Sequence, residues 1–216
     1  MKKRTAVMLI ALVAVIGIAA GGTLAYLTSQ ETVTNTFTVG DVDVTLDEAK
    51  VDAYGVVLTG EEAARVKANE YKLIPGHKYA KDPTVHVQPG SEASYIFIRV
   101  DNGIADIEAP TVEGGYQNIA AQIADNRWTA LTGVDGVYYK QVNANTGTTA
   151  VDYQVFGEFA IDEDVRHPKP DPAEEGVFYL ADYADAEIVV TAYVIQAEGF
   201  DTAADAWTAG WQGGWS

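Results

Sequence analysis

Hydrophobic and polar positions alternate in twos along most of this 216-residue chain. Val33, Asn35, Phe37 and Val39 are separated by Thr34, Thr36 and Thr38, a period-two run with β-branched filler that predicts a strand. Gly40 and Asp41 interrupt it. Val42, Val44 and Leu46 then face one way and Asp41, Asp43 and Thr45 the other, as in a half-buried strand with an acidic outer face. Residues 79–87 read as a further strand, with Val85 and Val87 alternating with Thr84 and His86. Ser94, Ile96, Ile98 and Val100 alternate with Ala93, Tyr95, Phe97 and Arg99. Both faces of that segment are largely apolar, which predicts a central strand. Residues 186–196, AEIVVTAYVIQ, predict a second central strand. Segments 127–131 and 137–142 predict a hairpin, and 151–161 one long strand with Val151, Tyr153 and Val155 on one face.

Helical spacing is rare. Thr59 and Glu62 fit a capping box, so a short helix is expected to about Ala68. Ile119 and Ile123, four apart, predict another within 116–124. A last short helix is expected after Asp201 as its cap, with Trp207 and Trp211 on one face. Turns recur at Pro75-Gly76, Pro89-Gly90 and Asp101-Asn102-Gly103. Residues 162–176, holding Pro168, Pro170 and Pro172, form the clearest loop. Many short strands with few inserted helices predict an all-β fold: an antiparallel β-sandwich, jelly-roll-like, in one domain over residues 26–216.

The N-terminus breaks this pattern. Lys2, Lys3 and Arg4 precede an uncharged apolar run over 6–20, shorter than the ~20 residues of a spanning helix. Gly21 and Gly22 end the run, and Thr23-Leu24-Ala25 supplies the small-x-small pattern that signal peptidases accept. Residues 1–25 therefore read as a signal peptide cut between Ala25 and Tyr26, and the leader as the only membrane contact, before cleavage.

Charge narrows the function classes. The chain carries 14 Lys and Arg against 31 Asp and Glu, a net −17. All three basic leader residues leave with the leader, so the remainder stands at −17 − 3 = −20. Such a field repels nucleic acid. With no cysteine, disulfides, thiol catalysis and Cys-type zinc sites are excluded. An exported chain of this kind is expected to hold together by its core and strand pairing alone.

No motif for catalysis emerges. His77, His86 and His167 are scattered, with no H-E-x-x-H to converge two nitrogens and a base on zinc. The acidic pairs Asp41/Asp43, Asp162/Glu163/Asp164 and Asp182/Asp185 lack calcium-loop spacing and read as solvated faces. No G-x-S-x-G elbow or phosphate loop is present. The residues thus predict no catalytic group, no metal site and no cofactor.

The junction GTLAYLTSQETVTNTFTVGDVDVTL, ending at Leu46, resembles the start of the TasA and camelysin family of Gram-positive bacteria. The matching features are a small-residue cut site at Ala25, the aromatic Tyr26, a polar stretch over 28–31, and a T-x-T-F-x-x-G strand start over 34–44. Segments 72–87 and 190–207 are also similar to that group. The resemblance implies a jelly-roll domain, release by the signal peptidase SipW, and a place in the biofilm matrix. It also implies fibres in which a freed N-terminal strand is donated to the next subunit. On that reading residues 26–39 form the donor segment, with Val33, Asn35, Phe37 and Val39 at the subunit interface and 28–31 as the crossing linker. The camelysin name carries an alternative, a metal-dependent surface endopeptidase. A surface adhesin that never polymerises is the third expectation.

Overall fold

The computed structural model describes residues 26–33, 42–170 and 172–210, and of 26–33 the backbone alone. Among these residues the chain is an all-β sandwich with few helical turns. Strands β1 (Tyr26–Val33), β4 (Ala68–Lys72), β7 (Ser94–Asn102), β8 (Thr129–Ala130), β9 (Val137–Val142) and β12 (Ile188–Gln196) build a six-stranded sheet ordered β4-β1-β12-β7-β9-β8. A four-stranded sheet, β10-β6-β2-β3, uses β2 (Val44–Ala49), β3 (Arg65–Val66), β6 (Thr84–Val87) and β10 (Val151–Gln154). Strands β5 (Lys78–Ala80) and β11 (Glu158–Ala160) pair by themselves. Named strands pair antiparallel, with one exception: β1 runs parallel to β12.

Side-chain alternation explains the layers. On β7, Ile96 and Ile98 face the main core, while Tyr95 and Phe97 face the other way into a second apolar cluster. Strand β12 does the same, with Val190, Ala192 and Val194 in the main core and Tyr193 and Ile195 opposite. The two segments read as central strands are thus buried on both faces. Leu46, Val85 and Val87 of the four-stranded sheet close the main core. Helix α2 (Ala203–Gly210) covers the second cluster through Ala203, Ala206 and Trp207. Helix α1 (Ile119–Asp125) sends Ile119 and Ile123 into the main core, and the Asn118 side chain accepts from the Ala121 N–H at 3.0 Å as its cap.

Several expectations are corrected. The helix after Thr59 is only a 3₁₀ turn, Gly60–Glu62, and the Thr59 side chain makes no cap hydrogen bond. Beyond it the chain forms β3 and β4, because ladders to β2 and β1 satisfy backbone groups that a short exposed helix leaves open. The long strand over 151–161 is two strands in different sheets. Val155 and Phe156 are buried at the break and bend the chain from one sheet to the other. Val151 is exposed while Val155 is buried, so the two do not share the one face expected of them. Segment 79–87 is likewise split, between β5 and β6, by a stretch holding Pro83. The cap of the last helix is Thr202, whose hydroxyl accepts from the Asp205 N–H at 3.1 Å, and not Asp201. Residues 28–31, expected as a linker, lie inside β1.

Candidate functional site

The N-terminal strand occupies a slot between two strands that follow it in the chain. Its register with β4 runs from Tyr26 opposite Lys72 to Gln30 opposite Ala68. Its C-terminal part pairs with β12, with Glu31, Thr32 and Val33 opposite Val190, Thr191 and Ala192. Removing β1 would open two rows of backbone N–H and C=O groups at once, on β4 and on β12.

Both walls of the slot are firmly built. Strand β12 is held along its whole length by β7, from Ile188 opposite Asn102 to Gln196 opposite Ser94. Strand β4 is held by its inward side chains. Tyr71 packs edge-on against Tyr79 at 5.7 Å and Phe159 at 5.1 Å between ring centroids, and its hydroxyl donates to the Ala80 carbonyl at 3.1 Å. Tyr79 stacks on Phe159 at 4.8 Å. The Tyr79 hydroxyl donates to the Lys72 carbonyl and accepts from the Ile74 N–H, both at 2.7 Å. Burial pushes that phenol up to about 12, against the partial opposing effect of the Ile74 N–H.

Of the residues singled out at this end, Tyr26 opens β1 and Val33 closes it. Ala25, Asn35, Phe37 and Val39 lie outside the described residues.

The histidines do not converge. The His77 Nε2 meets the Tyr54 carbonyl at 2.9 Å. His86 lies between two carboxylates, with Nδ1 2.6 Å from Asp152 Oδ1 and Nε2 2.8 Å from Asp47 Oδ1. Arg65 extends the row, reaching Asp47 at 2.6 Å and Asp82 at 2.7 Å. Burial works to raise the Asp47 carboxyl, but hydrogen bonds and charge from Arg65 and His86 outweigh it and hold the group below its ordinary range. His86 is thus a rung in a charged ladder across the four-stranded sheet. His167 sits in the proline-rich loop. Among the described residues no group of three or more His, Cys, Asp or Glu side chains is placed to hold a metal ion. The side chains there do not fit the metal that an endopeptidase of the camelysin kind would need.

One polar cluster was missed in the sequence. Glu48, Lys81 and Asn69 are all buried, and the two oxygens of Glu48 meet Lys81 Nζ at 2.6 Å and Asn69 Nδ2 at 2.9 Å. The signal was present: Val42, Val44 and Leu46 set an inward phase whose next position is Glu48, and Tyr79 sets one whose next position is Lys81.

Among the described residues no helix is long and apolar enough to cross a membrane. No curated protein and no solved structure matches this chain. The family whose model does match is described as camelysin metallo-endopeptidase, over residues 1–59. That is the TasA and camelysin family which the N-terminal motif resembles, and the similarity covers residues 1–25, β1 and the chain through β2.

Proposed function

We propose that the chain is a secreted, non-enzymatic structural subunit of a cell surface or extracellular matrix, assembling through its N-terminal strand. One observation carries the reading: the strand nearest the presumed cut site fills a slot whose two walls come from later in the chain. In an isolated chain the slot takes its own β1. In an assembly the same backbone groups take β1 of a neighbour by strand addition, without any new ladder being invented. Head-to-tail exchange of this kind does not close on itself and extends into filaments. The leader holds this end until cleavage, so cutting after Ala25 sets when exchange can begin.

Negative-stain microscopy of the purified, processed chain tests this directly. The parent is expected to form filaments. A chain lacking residues 26–33 is expected to form none, and an excess of a peptide spanning 26–39 is expected to stop growth of the parent. A parent that stays monomeric at high concentration, or a truncated chain that forms the same filaments, would refute the reading.

The family description favours a second reading, a metal-dependent endopeptidase. Incubation with casein, with zinc and with a chelator separates the two. Chelator-sensitive cleavage that vanishes in His77→Ala or His86→Ala would establish the endopeptidase instead.

A further inference from the structure

Glu48, Asn69 and Lys81 come from β2, from β4 and from the segment after β5, and each occupies a position where the strand phase calls for an apolar side chain. Burying a carboxylate and an ammonium is costly, and even a well-made buried pair often contributes nothing net to stability. The arrangement is nonetheless specific. One Glu48 oxygen accepts from Lys81 Nζ at 2.6 Å and the other from Asn69 Nδ2 at 2.9 Å. The Asn69 amide is fixed on its remaining sides, with Nδ2 donating to the Ala49 carbonyl at 2.9 Å and Oδ1 accepting from the Val51 N–H at 3.0 Å. An amine nucleophile and an amide thus hang on the two oxygens of one carboxylate, with water excluded and a backbone N–H on the amide oxygen.

We propose that Lys81 and Asn69 join in an intramolecular isopeptide bond, with Glu48 relaying the protons. Glu48 Oε2 takes a proton from the Lys81 ammonium, which frees the Nζ lone pair. Nζ attacks Asn69 Cγ, and the Val51 N–H stabilises the negative charge that develops on Oδ1. Glu48 carries a second Nζ proton to Nδ2, the Cγ–Nδ2 bond breaks, and ammonia leaves. Of the three ammonium protons, one stays in the new amide, one departs in ammonia and one remains on Glu48. The net charge of the pair is zero before and after, and no oxidant or other reactant is consumed. Two buried charges become a neutral amide beside a neutral acid, which relieves the desolvation cost of the starting pair.

The bond would give a chain without cysteine a covalent staple. It would also tie β4, one wall of the N-terminal slot, to the segment after β5. It is read by mass whether or not β1 exchanges between subunits.

The test is mass spectrometry on the folded full-length chain after denaturation. The intact mass is expected to fall short of the sequence mass by about 17 Da, one ammonia. Trypsin is expected to leave the Lys81–Asp82 bond uncut, and peptide 68–72 should appear joined to peptide 79–99. Asn69→Asp is expected to lose water instead, about 18 Da, and Lys81→Met and Glu48→Gln to lose nothing. A wild-type chain at full sequence mass, with Lys81 cut by trypsin, overturns the proposal even where a variant fails to fold. A loss of about 17 Da confined to peptide 68–72, with Lys81 still cut, is a succinimide at Asn69 and overturns it equally.

Discussion

Tyr79 ties more of this molecule together than any neighbour in its sequence suggests. Its ring stacks on Phe159 and its hydroxyl bridges the Lys72 carbonyl and the Ile74 N–H. Tyr79→Phe leaves both backbone groups without that partner and is expected to cost about 1–3 kcal/mol by urea unfolding. The pH dependence follows from the raised phenol, at about 12 when folded against about 10 when unfolded. A group raised in the folded state contributes its stability below the unfolded value and loses it as pH rises through the folded one. The parent is therefore expected to lose stability between roughly pH 10 and 12, and the Phe variant to lose less over that span. Gly55 lies against the same ring at φ +74°, and a Cβ there would stand 2.6 Å from the Tyr79 Cα. Gly55→Ala is expected to destabilise by at least about 2 kcal/mol in thermal or urea melts, since strain and overlap add.

Among the elements, helix α2 matters for what it covers. Strands β7 and β12 are apolar on both faces, so the six-stranded sheet needs a lid as well as a core. Trp207 supplies much of it, with its ring centroid 5.1 Å from that of Phe97 and 6.1 Å from that of Tyr193. Trp207→Ala is expected to cost about 2 kcal/mol and to raise binding of a hydrophobic dye to the exposed sheet face. A melting point and dye signal equal to the parent's would show that α2 is dispensable. The turn at Gly60–Glu62 illustrates the opposite outcome for a helix. Thr59 and Glu62 have capping-box spacing, yet the apolar residues that follow at helical spacing, Ala63, Ala64, Val66 and Ala68, are small, while β2 and β1 offer ladders to β3 and β4.

Net charge governs how whole molecules meet. A chain at −17, or −20 without its leader, repels copies of itself over about a Debye length, ~30 Å at 0.01 M salt and ~8 Å at 0.15 M. If subunits exchange strands, that repulsion must be overcome before β1 can reach a neighbour's slot. Filament growth followed by light scattering is therefore expected to accelerate as sodium chloride rises from about 0.01 M to about 0.15 M. Growth that slows with salt would point to an interface held by charge pairs rather than by backbone ladders.

What the sequence determined by itself is local in origin. Period-two runs marked β7, β9 and β12, because alternation is imposed by the strand's own geometry and needs no partner to be seen. Double-faced apolarity marked β7 and β12 as central for the same reason, and Ile119 with Ile123 marked α1. The similarity to camelysin-like sequences was likewise readable, since it is carried by contiguous residues. Pairing was not readable. Nothing in TSQE at 28–31 announces that it pairs with Glu70, Asn69, Ala68 and Val190, because ladder partners are chosen by backbone groups common to every residue. The break at Val155–Phe156 was hidden because both are good strand residues, and only the two sheets they join require the bend. The Glu48–Lys81–Asn69 cluster shows the limit most clearly. Each member sits on a legible inward phase, but which three polar side chains meet depends on how β2, β4 and the chain after β5 cross in space, and that only the tertiary structure decided.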